Sequence, residues 1–410
     1  MRGQGDGPRQ ENSIHGIIPR FSEASINDAL PVERLVLAES HLPCHLPTTK
    51  DHVLITQTVR HYTHSHCRIV HYTHTYTTTM RISTALPLLP LAAALPTTTA
   101  PTAKPLPLII WHGLGDRYDA DGIADVAALA NELHPGTLVY PIRVADDGSA
   151  DSRATFFGNL TTQINDVCDT LSSNSSFSAN TTRIDALGFS QGGQFLRGLI
   201  ERCPGIEVRS LVTFGSQHNG ISKFQNCGTW DLVCKGAMAA IKGNAFGEWV
   251  QGNIIPAQYY KETNATTGEP TKEYLNNSNF IADINNEKKN KTKEYKQRLA
   301  KLDNFAMYVF QDDKTVIPKE SGWFSEVNIT SLEVTGLRER DIYTEDWIGL
   351  RELDDKGALV FRNASGGHMD LTEKVLTEAF MDFFGPERNG WKSVVEGIRD
   401  EVQKVVFEEL

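Results

Sequence analysis

Positive charge is what this 410-residue chain has least to spare: 40 Lys and Arg stand against 51 Asp and Glu, a net charge of −11. With no basic stripe to neutralise phosphates, nucleic acid is excluded as a partner. Long apolar runs are missing too, since none approaches the roughly 20 residues needed to cross a bilayer as a helix, so no transmembrane segment is predicted. Cysteine is sparse, six in all, and no Cys/His spacing matches an ordered metal site.

The first 79 residues lack the periodic apolar faces of a core. They hold nine of the 13 histidines, with the near-repeat His61-Tyr62-Thr63-His64 and His71-Tyr72-Thr73-His74. From Met80 the pattern changes: Arg81 is followed by the short apolar run Ala85 to Leu95 and then by small and threonine-rich residues. This reads as a secretory signal peptide and linker over 80–103, with two prolines and a weak basic start as blemishes. Residues 1–79 are then a leader that translation from Met80 would leave out, which N-terminal sequencing of the natural protein checks. The rival reading is a His-rich metal tract using Cys44 or Cys67.

Secretory routing makes other features intelligible. Asn-x-Ser/Thr sequons stand at Asn159, Asn174, Asn180, Asn264, Asn276, Asn290, Asn328 and Asn363, a density that points to a glycosylated surface. Cys168, Cys203, Cys227 and Cys234 form an even set suited to an oxidising compartment. Sequence permits three pairings. The short Cys227 to Cys234 loop favours one local bridge, leaving Cys168 and Cys203 to staple two helices.

What the remainder does have is a regular alternation of strand and helix. Buried strands are predicted at 105–111, 137–140, 184–189, 210–215, 304–310 and 358–361, and amphipathic helices at 121–133, 156–171, 191 onward and 371–384. Alternation of this kind gives an α/β fold with a doubly wound, mostly parallel sheet. The domain is expected over 104–386, followed by a C-terminal amphipathic helix over 387–410. Residues 216–303 loosen into polar runs and short apolar pieces such as 236–241 and 246–250. We read them as a helical insertion over the active face, a lid or acyl-chain groove, against the plainer alternative of core packing. The lysines between 288 and 301 alternate with acids and read as a solvated helix.

Chemistry enters at Gly188-Phe189-Ser190-Gln191-Gly192, where a short apolar strand passes directly into a helix. That is the setting of a nucleophile elbow: the serine is held in strained backbone at a helix N-terminus, and Gly188 and Gly192 leave room for crossing elements. The first helical amides have no intrahelical partner and can stabilise a developing oxyanion. Alone, a five-residue motif is as often chance as function. Upstream, His112-Gly113-Leu114-Gly115-Asp116 ends the first strand, where the backbone N–H of Leu114 would be the second donor. A βα turn with glycines for geometry only is the alternative.

In this fold the order is serine, acid, histidine. Only His218 and His368 follow Ser190. His218 comes too early for an acid-bearing strand to precede it and reads as structural or as groove wall. His368 sits on a glycine-flanked loop after the last strand. Asp312 and Asp313 lie at a strand end, and either could orient it; Asp341 and Asp354 read as surface charges.

Taken together, Trp-His-Gly-Leu-Gly-Asp (111–116), Gly-Phe-Ser-Gln-Gly-Gly-Gln-Phe-Leu-Arg (188–197), Arg-Cys-Pro (202–204), Gly-Ser-Gln-His-Asn-Gly (215–220), Phe-Ile-Ala-Asp-Ile-Asn (280–285) and Leu-Val-Phe (359–361) resemble palmitoyl-protein thioesterases of the α/β-hydrolase superfamily. The resemblance runs from about Pro105 to Gly385. It implies Ser190 as nucleophile, Asp313 as acid, His368 as base, oxyanion amides at Leu114 and Gln191, and bridges Cys168–Cys203 and Cys227–Cys234. It implies further a lysosomal or vacuolar enzyme that takes long acyl chains off the cysteines of S-acylated proteins or peptides, with no metal or organic cofactor. Two departures stand out. Arg117-Tyr118-Asp119 replaces paired cysteines of animal members, and Asp312 replaces a glycosylated Asn, which leaves Asp312 a rival for the acid role. A secreted lipase or carboxylesterase acting on oxygen esters is the alternative function.

Overall fold

In β1 (Leu108–Trp111) successive side chains alternate between two apolar layers: Leu108 and Ile110 pack on one face of the sheet, Ile109 and Trp111 on the other. Both faces are covered, so the period-2 alternation of a strand appears in the sequence as an unbroken apolar run. The same holds for β3 (Ile184–Phe189) and β4 (Val208–Phe214), which are buried throughout.

The computed structural model describes residues 104–179, 183–224, 227 and 232–387. The leader, the 80–103 segment, the Asn180 sequon and, from position 388, the expected C-terminal helix lie outside them. Within the described residues the chain runs β1, α1 (Asp121–Leu133), β2 (Val139–Pro141), α2 (Gly148–Ala154), α3 (Leu160–Ser173), β3, α4 (Gln191–Arg202) and β4. The insertion supplies α5 (Leu232–Ile241), α6 (Glu248–Asn253), α7 (Ile255–Gln258), α8 (Lys272–Asn277), α9 (Ile281–Ile284) and α10 (Lys293–Leu299). Then follow β5 (Asn304–Phe310), the hairpin β6 (Glu326–Val327) and β7 (Val334–Thr335), α11 (Asp341–Thr344), α12 (Leu350–Asp355), β8 (Leu359–Ala364) and α13 (Glu373–Phe383).

Six strands form one sheet in the order β2-β1-β3-β4-β5-β8, parallel at every pairing. Helices α1 and α13 cover one face; α3, α4 and much of the insertion cover the other. This is the α/β-hydrolase architecture. The second face is held by aromatic stacking of Phe195 on Trp111, whose ring centroids are 3.7 Å apart. Burying side chains of this size stabilises by about 3 kcal/mol each.

The helix expected over 156–171 is α3, which starts only at Leu160, and a separate helix, α2, precedes it. Helix α2 ends at Ala154, Gly158 takes φ 142°, and α3 starts at Leu160 with Asn159 as its cap, accepting from Thr162 N at 3.1 Å. Phe157 bridges to Ile254 of the insertion instead. Helix α2, the hairpin, α11 and α12 were not foreseen.

Charged groups inside this layer are paired. Arg197 of α4 is fully buried and donates to Glu201 Oε1 (2.9 Å), Ile284 O (3.0 Å), His218 O (3.0 Å) and Asn285 Oδ1 (2.7 Å). Arg209 grips Asp185 with two nitrogens, at 3.0 and 2.5 Å, and also donates to the carbonyls of Gly385 and Pro386 beyond α13. Disulfides join Cys168 of α3 to Cys203 at the end of α4, and Cys227 to Cys234. Of the described sequons, Asn174, Asn264, Asn276, Asn290 and Asn363 are exposed, and Asn159 and Asn328 half-buried.

Candidate active site

Strand β3 delivers Ser190 to the C-terminal edge of the sheet, between β1 and β4. Its backbone sits at φ 51°, ψ −120°, a region few non-glycine residues enter, and its N–H is fixed by Phe214 O at 2.8 Å. Such strain persists only where neighbours over-determine it. The reason Gly188 and Gly192 are required is plain: a Cβ on Gly188 would lie 2.5 Å from Gly193 Cα, and one on Gly192 2.4 Å from Trp111 O. Helix α4 begins at Gln191, so Ser190 stands at its N-terminus.

His368 arrives from the loop after β8. Its Nε2 is 2.9 Å from Ser190 Oγ and its Nδ1 is 2.7 Å from Asp313 Oδ2. Asp313, on the loop after β5, has a side chain only 1% exposed. Its other oxygen accepts from Thr315 N at 2.8 Å and Val316 N at 3.0 Å, which fixes the carboxylate's orientation. Asp312 is exposed, and its backbone N–H donates to Gly366 O at 2.9 Å. Of the two acids at this strand end, Asp313 is the one whose carboxylate meets His368.

His218 is fully buried behind the site. Its Nε2 lies 3.0 Å from Thr213 Oγ1 and its ring stacks on Phe324. Burial, together with the Arg197 charge, holds its pKa well below the ordinary imidazole value, so it stays neutral and packs as core.

Gln191 follows Ser190 directly, and Gly113, whose peptide bond leads into Leu114, stands against it: a Cβ there would lie 3.3 Å from Ser190 Cβ. Among the described residues neither the Leu114 nor the Gln191 backbone N–H has a protein acceptor, as befits a tight turn and the first turn of a helix. The Gln191 side chain is engaged, donating to Thr155 O at 3.2 Å. Leu114 packs with Phe156, Ala237, Ile241, Val250, Ile254 and Ala257, an apolar cluster built largely by the insertion. Next to it a cleft of about 800 Å³ shares Phe224, Met238, Ile241 and Ala245 with that cluster. Ser190, Asp313 and His368 are not in the cleft wall.

One buried acid that the sequence did not single out touches this region: Asp151 of α2, 0% exposed and 2.8 Å from His112 Nε2. No titratable cluster able to hold a metal ion exists among the described residues, and no helix there is long and apolar enough to cross a membrane.

Residues 107–368 match the family described as palmitoyl protein thioesterase. The chain is 31% identical over 275 residues to palmitoyl-protein thioesterase 1 of Caenorhabditis elegans, covering 67% of this chain and 89% of that one. It is 29% identical over 295 residues to palmitoyl-protein thioesterase 3 of Dictyostelium discoideum, covering 71% and 93%. A palmitoyl-protein thioesterase-dolichyl pyrophosphate phosphatase fusion of Schizosaccharomyces pombe is 32% identical over 300 residues; the match takes in 72% of this chain and 46% of the fusion.

Proposed function

This chain belongs to the palmitoyl-protein thioesterase family, and from that premise we propose that it hydrolyses long-chain acyl thioesters on the cysteines of proteins or peptides through an acyl-enzyme. The observation that carries the reading is the double contact of His368, with one ring nitrogen on Ser190 Oγ and the other on Asp313.

Ser190 Oγ attacks the acyl carbon while His368 Nε2 takes its proton. Asp313 keeps Nδ1 protonated and stabilises the imidazolium. The N–H groups of Leu114 and Gln191 receive the oxyanion. Collapse of the tetrahedral adduct breaks the C–S bond, and the cysteine thiolate takes the proton from His368. A thiol, with a pKa near 8.5, leaves more readily than an alcohol. Water, deprotonated by the same imidazole, then cleaves the acyl-serine and restores Ser190. The acyl chain lies along the apolar cluster at Leu114 and Phe156, toward the cleft under α5.

The two disulfides and the density of sequons support passage through an oxidising compartment, with the lysosome or vacuole as destination. Purified protein assayed on matched palmitoyl-thioester and palmitate-ester probes, with Ser190→Ala as control, tests the function. Turnover of the ester with no turnover of the thioester overturns it in favour of a lipase or carboxylesterase.

A further inference from the structure

We propose that His112, clamped by Asp151, is a positioning residue that aims the backbone N–H of Leu114 at the reacting carbonyl. The proposal rests on the reading above that this N–H is an oxyanion donor.

A trans peptide carries its C=O and its N–H on opposite sides. Whatever holds the carbonyl of Gly113 therefore sets where the N–H of Leu114 points. His112 Nδ1 lies 3.1 Å from Gly113 O, and Asp116 N donates to the same carbonyl at 3.3 Å, so this peptide is held from two sides. The same peptide lies directly against the nucleophile: a Cβ on Gly113 would stand 3.3 Å from Ser190 Cβ and 3.9 Å from its Oγ. Held in this way, the N–H of Leu114 has no protein partner among the described residues, which leaves it to meet a substrate oxygen.

Asp151 supplies the anchor. Its Oδ2 accepts from His112 Nε2 at 2.8 Å and from Tyr118 N at 3.0 Å, and its Oδ1 accepts from Val144 N at 2.8 Å. One carboxylate thus ties both ends of the 112–118 loop to the segment after β2. Nδ1 and Nε2 of His112 thus each face an oxygen, of Gly113 and of Asp151. Helix α2 adds a second brace: Gly115 N donates to Thr155 Oγ1 at 2.8 Å, and Ser152 Oγ donates to Gly115 O at 2.7 Å. Burial pushes the carboxyl of Asp151 upward, but the hydrogen bonds from His112, Val144 and Tyr118 outweigh it and hold it below the ordinary carboxylate value, so the anchor stays ionised.

The test is Asp151→Asn in the full chain. An amide has one accepting oxygen and cannot serve all three donors. Three readouts are taken: steady-state hydrolysis of a palmitoyl thioester, hydrolysis of a short p-nitrophenyl ester, and inhibition by palmitaldehyde, whose adduct with a serine places an oxygen where the oxyanion forms. Palmityl alcohol, which forms no adduct, is the ground-state control. On both substrates kcat is expected to fall by about 100-fold, with KM within about twofold. Aldehyde inhibition weakens in step, while alcohol inhibition holds. A folded variant with unchanged kcat and aldehyde affinity overturns the proposal, as does an equal loss for aldehyde and alcohol. Should circular dichroism show Asp151→Asn unfolded, His112→Gln replaces it: Asp151 still accepts from Val144 N and Tyr118 N, and the ring contact to Gly113 O is lost. Its kcat is expected to fall on the order of 10-fold, and an unchanged kcat overturns the proposal. If wild type turns over the short ester but not the thioester, the substrate reading fails while the positioning role is still measured on the ester.

Discussion

His368 Nε2 lies 2.9 Å from Ser190 Oγ, although 178 positions separate the two residues along the chain. The parallel sheet makes this possible. β3 and β8 end on the same edge, with β4 and β5 between them, so residues that follow each strand gather at one rim.

The acid is tested by paired substitutions. Asp313→Asn removes the charge facing His368 Nδ1 and leaves the imidazole in the wrong tautomer, so kcat is expected to fall about 10⁴-fold. Asp312→Asn, at an exposed side chain, is expected to leave kcat within about twofold. Steady-state kinetics on one thioester decides; loss of turnover on changing Asp312 alone would make Asp312 the acid.

The elbow tolerates no added carbon. In Gly192→Ala the new Cβ would meet Trp111 O at 2.4 Å and His112 O at 2.7 Å, both backbone atoms, so β1 or the start of α4 must move. We expect a loss of about 2–4 kcal/mol in urea unfolding, with turnover abolished. Gly236→Ala in α5 is the matched control: nothing lies within 4 Å of its Cβ, and it is expected to stabilise by about 0.5–1 kcal/mol.

The Cys168–Cys203 bridge closes a sequence separation of 35 and joins α3 to the end of α4. Replacing both cysteines by serine releases that loop in the unfolded chain. The expected cost is about 3 kcal/mol, read as a lower midpoint in denaturant. The bridge with a separation of 7, Cys227–Cys234, is expected to contribute less by the same measurement.

Asp151 makes stability depend on acid in a defined direction. Its folded pKa is lowered from 3.8, so the folded state binds its proton less readily than the unfolded one. The contribution is present in full above the unfolded value and is lost as pH falls through the folded one. The stability gap between wild type and Asp151→Asn is therefore expected to stay constant from about pH 7 to 5 and to narrow below about pH 4. Denaturant midpoints across that range check it, and a gap that widens on acidification would refute the assignment of the shift.

Much of this was legible before any coordinates. Central strands such as β5 show as apolar runs because both faces of the sheet are covered. The candidate histidine was narrowed by chain order alone, since only two follow Ser190. Position alone left Asp312 and Asp313 level, since adjacent residues at a strand end share nearly every sequence property, and only the family resemblance preferred Asp313. The late start of α3 was hidden for another reason: Phe156, Phe157 and Leu160 keep an apolar pattern across Gly158, while Phe157 pairs its backbone with Ile254, nearly a hundred positions on. Asp151 was invisible in the same way, its partner His112 being 39 positions distant. An acid in a short polar helix reads as solvated until the fold buries it.

Arg197 has one further consequence. Three of its four acceptors, His218 O, Ile284 O and Asn285 Oδ1, belong to the segment that follows β4, while the guanidinium itself rides on the helix that starts beside Ser190. A lysine would bring a single ammonium to acceptors laid out for a planar fork. The covering segment is thus no detachable flap: whatever frees it from the catalytic half also strips partners from a charge in the dry interior, and the two halves lose their order together.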